Sequence, residues 1–231
     1  MRLDKFLAEN TGLTRSQATK ALRQSAVTIN GEIEKSGARK IRPQDEVRFE
    51  GELLQWTAEG QYFMLYKPQG CVCSHDDGDY PTVYQFFDYP LSTRLHSAGR
   101  LDADTTGLVL LTDDGQWSHR VTSPKHHCEK TYLVTLADPV ENNYLSACAQ
   151  GILLRGEKEP TKPAKLEILD DYNVNLTISE GRYHQVKRMF AALGNKVVGL
   201  HRWKIGAVEL DDALAEGEFR PLTQAEIDSF K

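Results

Sequence analysis

The chain of 231 residues is 40% hydrophobic and 26% charged, the balance of an ordinary globular protein, and no apolar run nears the roughly 18 residues that would cross a membrane. A formal charge of −5 excludes a uniformly basic polyanion binder, yet residues 1–42 hold nine Lys/Arg against four Asp/Glu, and residues 177–204 hold six against one. Such local basic segments suffice for phosphate contact, because a nearby field and not the net charge attracts an anion.

Met1-Arg2-Leu3-Asp4-Lys5 lacks the apolar core of a secretory signal, so a cytoplasmic protein is expected. Leu3, Phe6 and Leu7 recur at helical spacing, and Gly12 suits the cap that ends a helix. Thr14-Arg15-Ser16-Gln17 has the form of a capping box opening a second helix. That helix turns Ala18, Ala21 and Leu22 inward and shows Arg15, Lys20 and Arg23 on its other face. Val27-Thr28-Ile29 alternates as a strand, Asn30-Gly31 is the pair preferred in a tight hairpin turn, and Ile33 begins the return. Residues 46–49 supply a later strand. The strings Arg2-Leu3-Asp4-Lys5-Phe6-Leu7, Thr14-Arg15-Ser16-Gln17-Ala18 and Val27-Thr28-Ile29-Asn30-Gly31-Glu32 resemble the S4-type RNA-binding domain. That resemblance implies that Arg2, Lys5, Arg15, Lys20 and Arg23 contact RNA phosphates.

Residues 51–60 are polar apart from Leu53, Leu54 and Trp56 and read as a connector. The expected division is an RNA-binding module over 1–57, a linker over 58–61 and a larger domain over 62–231. Tyr62-Phe63-Met64-Leu65-Tyr66 is an apolar strand ended by Lys67-Pro68-Gln69-Gly70. The four cysteines are too few and too irregular for a disulfide scaffold. Cys71, Cys73 and His75 alternate as one strand face would, and His126-His127-Cys128 could add ligands, but Cys-x-Cys is not a usual zinc spacing, so no metal is expected. Asp76-Asp77-Gly78-Asp79 lacks the full calcium-loop pattern and reads as a solvated turn.

The stretch 97–115 is a polar, glycine-bounded loop carrying Asp102 and Asp104 that runs into Leu108-Val109-Leu110-Leu111, a strand buried on both faces. Loops held by rigid strands often carry function. After it come a short helix over 116–121, a turn over 122–125, a strand over 130–136, a helix over 141–150, and strands over 165–169, 174–178, 197–200 and 205–210. Strands and helices without regular alternation favour an α+β sheet domain. Within 179–194, Val186, Met189, Phe190 and Leu193 are helically spaced and Gly194 ends the helix. Lys187 and Arg188 then sit in its amino-terminal half, away from the end where the macrodipole favours cations, so an anionic partner is expected.

Gly-Arg-Leu-Asp-x-x-Thr-x-Gly-Leu-x-Leu-Leu-Thr-x-Asp-Gly over 99–115 resembles the catalytic loop of the RNA pseudouridine synthases. Tyr66-Lys67-Pro68-Gln69-Gly70, Lys130-Thr131-Tyr132 and Ser179-Glu180-Gly181-Arg182-Tyr183-His184-Gln185-Val186-Lys187-Arg188-Met189-Phe190 resemble the same family, in particular its branch acting on small-subunit ribosomal RNA. The resemblance implies a small S4-like module linked to a mixed, mainly antiparallel sheet domain with flanking helices. It implies an isomerase needing no cofactor, with small-subunit ribosomal RNA or an assembling ribosomal particle as partner and a monomeric protein. Asp102 would be the nucleophile, attacking ribose C1′ or uracil C6. Tyr132 would stack on the base as a candidate acceptor of the C5 proton, and Lys187 would pair with Asp102 where most branches have Arg. Arg100 would fill the gap left by the flipped nucleotide, Arg182 and Arg188 would contact RNA, and the 67–70 segment would support the loop. For Asp104 the sequence names no partner, and it reads as a loop or substrate-contacting residue. The alternatives are a large-subunit ribosomal RNA synthase, a non-catalytic RNA-binding assembly factor, and a metal-dependent hydrolase using the Cys/His cluster.

Overall fold

Residues 1–54, 60–75, 78, 80–123 and 127–231 are described by the structure, a computed structural model, and they fall into two units, Met1–Gly60 with Tyr89–Arg94, and Gln61–Asp88 with Leu95–Lys231. Residues 58 and 59 of the expected linker, Asp76, Asp77 and Asp79 of the acidic turn, part of the 122–125 turn, and His126 lie outside the described residues. Among the described residues no helix is long and apolar enough to cross a membrane.

In the first unit, helix α1 (Leu3–Thr11) ends at Gly12, whose φ of 70° permits the left-handed cap. Helix α2 (Arg15–Arg23) opens on the complete capping box of Thr14 and Gln17. Strands β1 (Val27–Ile29) and β2 (Glu32–Ile33) join through Asn30 and Gly31, both at positive φ, as the primed hairpin turn requires. With β3 (Val47–Phe49) and β4 (Glu52–Leu53) they form an antiparallel sheet in the order β2-β1-β3-β4. Leu3, Phe6, Leu7, Ala18, Leu22, Val27, Ile29, Ile41 and Val47 make its core.

A buried carboxylate organises the basic surface of this unit. Asp4 accepts Nε and Nη2 of Arg2 at 3.1 and 2.8 Å and Nη2 of Arg15 at 3.0 Å. The Arg2 hydrogen bond leads, against burial, in holding the Asp4 carboxyl down to about 2. Lys5 stands 3.5 Å from Glu9, and Lys20 and Arg23 are exposed.

The second unit is built on a nine-stranded sheet. Its strands are β5 (Tyr62–Lys67), β6 (His96–Ser97), β7 (Thr106–Thr112), β8 (Lys130–Leu136), β9 (Lys165–Ile168), β10 (Asn173–Ile178), β11 (Val197–Ile205), β12 (Val208–Glu209) and β13 (Phe219–Pro221). They run β13-β5-β7-β11-β8-β10-β9, with β12 on β11 and β6 on β7, antiparallel except for β7 beside β11. Between the strands come a 3-10 turn at Val83–Phe86 and helices α4 (Gly115–Thr122), α5 (Asn143–Gln150), α6 (Gln185–Ala192) and α7 (Gln224–Asp228); α3 (Leu91–Arg94) belongs to the first unit. Leu108, Val109, Leu110 and Leu111 are fully buried, so the apolar run in β7 does occupy the sheet's centre. Asp114 caps α4 by accepting from Gln116 N and Trp117 N. On one face Met64, Leu108, Leu110, Trp117, Ile205 and Phe230 form a core cluster.

The two strands expected over 197–200 and 205–210 are corrected to one long strand, β11, followed by a hairpin through Gly206 and Ala207 to β12. The polar string His201-Arg202-Trp203-Lys204 suggests a break, but register shifts after Val197 and Arg202 carry the strand through it. Gly107 is the point where β7 meets β11: it pairs with Arg202 at φ +109°, and an added Cβ would lie 2.2 Å from Arg202 O. Gly107→Ala is therefore expected to destabilise the protein by about 2–4 kcal/mol through backbone strain and overlap, read as a lowered urea midpoint; an unshifted midpoint contradicts this packing.

Candidate active site

The loop between β6 and β7 is fixed at many points. Leu101 and Thr105 are buried at either end, and Thr105 N donates to Asp102 O at 3.1 Å to close a turn. The segment after β5 braces it from beneath. Buried Lys67 donates Nζ to Thr105 O at 2.7 Å and Pro68 O at 2.9 Å, Gly70 N donates to Ala103 O at 2.8 Å, and Gln69 Nε2 donates to Asp104 O at 3.2 Å. Burial lowers the Lys67 pKa, and backbone carbonyls take up its protons. The loop backbone is thus held while the Asp102 and Asp104 side chains face outward.

Asp102 is 36% exposed on its side chain and has a nitrogen beside each oxygen: Lys187 Nζ lies 2.9 Å from Oδ2, and His184 Nε2 lies 3.3 Å from Oδ1. Lys187 also donates to Asp104 Oδ1 at 2.6 Å. Asp104, for which the sequence names no partner, shares the ammonium with Asp102 through this contact. The Lys187 hydrogen bond holds Asp104 below the usual carboxylate range despite burial. Burial opposes the Lys187 charge, but its hydrogen bonds to Asp104 and Asp102 raise its pKa above the ordinary value. The cation at the unfavourable end of α6 therefore has two carboxylates as partners.

Helix α6 is seated by Val186, Met189 and Phe190, all buried. Its entry is braced by Gln185, whose Oε1 accepts Arg182 N at 2.9 Å and whose Nε2 donates to Glu180 Oε1 at 3.1 Å. Arg182 donates Nη1 and Nη2 to the carbonyls of Glu159 and Pro160 at 2.9 and 2.7 Å. Arg188 donates to Tyr183 O, Arg155 O and Glu157 Oε1 at 3.1, 3.0 and 3.0 Å. Both guanidinium groups are thus largely committed to holding the 155–160 segment against the start of α6. Arg100, two residues before Asp102, is exposed.

Tyr132 lies on β8 and is 8% exposed. Its hydroxyl stands 3.5 Å from Arg202 Nη1, at the limit of hydrogen bonding, and the Arg202 guanidinium lies 5.9 Å from its ring centroid. Arg202, 2% exposed, also donates Nε to Leu108 O at 2.9 Å and approaches Arg100 O at 3.5 Å, while Nη2 has no partner among the described residues. Arg202 therefore links Tyr132 to the loop that carries Asp102. A buried guanidinium without a carboxylate is costly, and sequence reading missed it because an Arg in a polar string looks solvated. His184 was missed as a neighbour of Asp102 for a similar reason: its approach depends on a positive φ of 46° at the start of α6.

The cysteine and histidine positions pack as ordinary side chains. Cys71 and Cys73 are buried, Leu101 N donates to Cys73 Sγ at 3.5 Å, and His75 stacks on Tyr84 at 3.7 Å. Among the described residues no group of three or more His, Cys, Asp or Glu side chains is placed to hold a metal ion.

A family model described as RNA pseudouridylate synthase matches residues 61–192, and one described as S4 domain matches residues 1–47. The protein of Haemophilus influenzae called ribosomal small subunit pseudouridine synthase A is 84% identical over 228 residues, covering 99% of this chain and 98% of that protein. Its namesake in Yersinia pestis is 59% identical over 229 residues, covering 99% and 97%. The one in Escherichia coli is 58% identical over 229 residues, covering 99% of each. A crystal structure titled pseudouridylate synthase, 81% identical and matched over the full length of both chains, superposes with a TM-score of 0.74.

The shared ammonium predicts a titration. Asp104 begins from an ordinary value of 3.8 and is lowered by Lys187, so the stability it contributes is present above that value and is lost as pH falls through its depressed folded value. In carboxyl-detected NMR, Asp104 should titrate below 3.8 in the native protein and at a higher pH in Lys187→Met, where the hydrogen bond and charge of Lys187 are lost. An Asp104 midpoint that does not rise in the variant contradicts the contact.

Proposed function

The chain belongs to the RNA pseudouridylate synthase family, and on that premise we propose that it isomerises a specific uridine of small-subunit ribosomal RNA to pseudouridine. The observation that carries this reading is the Asp102 carboxylate, partly exposed on a braced loop and hydrogen-bonded by Lys187, in a chain whose full-length relatives are named for that activity. The S4 domain at 1–47 adds an RNA-binding surface.

The reaction breaks the bond from uracil N1 to ribose C1′, turns the base, and joins C5 to C1′ with loss of the C5 proton. The target base must leave its stack to reach a protein carboxylate. Asp102 is the nucleophile, adding either to C1′, with uracil leaving as its anion, or to C6, so that the base is carried on the enzyme while the glycosidic bond breaks. In the C1′ route the carboxylate oxygen leaves C1′ as C5 bonds to it; in the C6 route it leaves C6 as the C5 proton is lost and the C5–C6 double bond reforms. In both, N1 takes up a proton, the net proton count is unchanged, and Asp102 is regenerated.

Lys187 orients Asp102 through its hydrogen bond to Oδ2. Because Lys187 is shared with Asp104, it can be held by Asp104 while Asp102 is engaged by substrate. Tyr132 takes the C5 proton once the new bond has formed. Arg202, against the Tyr132 hydroxyl, is a positioning residue and favours negative charge there. Arg100 occupies the space vacated by the flipped nucleotide. Arg182 and Arg188 fix the α6 entry and offer their remaining N–H groups to RNA.

On the S4 surface, Arg2, Lys5, Arg15, Lys20 and Arg23 contact phosphates, with Asp4 presenting the first and third. The working division is a module over 1–57, a linker over 58–61 and a catalytic domain over 62–231, acting as a cytoplasmic monomer on RNA or an assembling particle.

The primary test is a single-turnover assay on small-subunit ribosomal RNA. Asp102→Asn should lower the rate by at least about 10⁴-fold, and undiminished product would overturn the reading. Mapping pseudouridines in ribosomal RNA from cells lacking the protein should show one missing from the small subunit; a loss confined to the large subunit would reassign the substrate. For the S4 surface, Lys20→Ala and Arg23→Ala should each weaken RNA binding and reduce the salt slope of log Kd by about one; unchanged slopes would remove these residues from the interface.

A further inference from the structure

Beside the carboxylate pair lies an aromatic platform that the mechanism above does not use. Tyr183 is 75% exposed, yet its placement is well determined. Its ring stacks on His184 with centroids 3.8 Å apart and planes 21° apart, and its backbone carbonyl accepts Arg188 Nη1 at 3.1 Å. The residues on either side are also tied down: Arg182 to the carbonyls of Glu159 and Pro160, and Gln185 to Arg182 N. His184 has φ +46°, a region that side-chain-bearing residues seldom occupy and that marks functional sites when the surroundings enforce it. Its Nε2 is 3.3 Å from Asp102 Oδ1. Core packing does not require an aromatic ring that is three-quarters in water, so the stack presents an apolar face to something that arrives.

We propose that Tyr183, stacked on His184, is a binding subsite for an unpaired nucleobase of the RNA substrate, namely a base flanking the uridine that reacts at Asp102. The inference rests on the synthase reading and adds a recognition element to the same site. A flipped uridine leaves its neighbours without a stacking partner, and an aromatic face is the usual replacement in single-stranded RNA recognition. His184 touches both groups: its Nε2 is 3.3 Å from Asp102 Oδ1, and its ring carries Tyr183 with centroids 3.8 Å apart. The free face of Tyr183 is assigned to a flanking base and the Asp102 oxygens to the reacting uracil. Tyr183 touches substrate in this scheme but moves no proton, and any π-face will stack on it, so it reads the unpaired state of the flanking base more than its identity.

The test uses full-length protein and a small-subunit ribosomal RNA fragment containing the uridine that the wild type modifies, prepared intact and with an abasic nucleotide on the 5′ or the 3′ side of that uridine. Tyr183→Ala should raise KM on the intact fragment by about 5- to 150-fold, exceeding any fall in kcat. Tyr183→Phe and Tyr183→Trp should hold KM within roughly 3-fold, whereas Tyr183→Leu, with bulk but no π-face, should behave like Tyr183→Ala. On one of the two abasic fragments the wild type should lose a comparable factor and Tyr183→Ala little more, so that the two changes are not additive. An unaltered KM for Tyr183→Ala, retention of full affinity by Tyr183→Leu, or full additivity on both abasic fragments overturns the proposal. Failure of the underlying synthase reading is recognised separately, because the wild type would then form no pseudouridine in the fragment.

Discussion

The site depends on one ammonium group. Lys187 bridges the two carboxylates of the 97–105 loop, at 2.9 Å to Asp102 and 2.6 Å to Asp104, and so couples the loop that enters the central strand β7 to the first turn of α6. Its hydrogen bond holds Asp104 below the usual carboxylate range. Because the pair is partly solvated, its net effect on stability is modest; its importance is in the position of Asp102. The arrangement also explains why a lysine can serve where a bidentate guanidinium might be expected: a point charge can be shared between two carboxylates on different axes, whereas a planar fork favours one.

Around this contact the structure places supports at increasing depth. Lys67 fixes the loop from below through carbonyls, and Gly107 allows β7 and β11 to meet closely enough to bring Arg202 under the loop. Arg182 and Arg188 secure the α6 entry. These groups are cations that hydrogen-bond backbone oxygens, with Glu180 and Glu157 as further partners of Arg182 and Arg188. The first unit uses the inverse device, one buried carboxylate, Asp4, fixing two surface arginines. Neither arrangement shows in the overall charge of −5.

Local signals were legible because their physics is local. The Asn30-Gly31 turn, the Thr14 capping box, the Gly12 cap, the fully apolar centre of β7 and the helical spacing in α6 all appear where the residues demand them. The meeting of Asp102 with Lys187 came from family resemblance, since nothing in the spacing of residues so far apart brings them together. The remainder depends on tertiary register. Arg202 is buried because it lies opposite Gly107 and Tyr132 in neighbouring strands, Asp104 finds Lys187 only once α6 is docked, and Tyr89–Arg94 packs with the first unit although it lies within the sequence of the second. A polar string such as 201–204 carries no mark of which member will be enclosed.

The central claim is that Lys187 positions Asp102 for reaction. Its most direct measurement is the single-turnover rate of Lys187→Met on saturating small-subunit ribosomal RNA, with RNA affinity measured in parallel. The account predicts a fall of about 10²–10³-fold in rate with affinity largely kept, and partial recovery in Lys187→Arg. A Lys187→Met rate within about 2-fold of the native protein would contradict it.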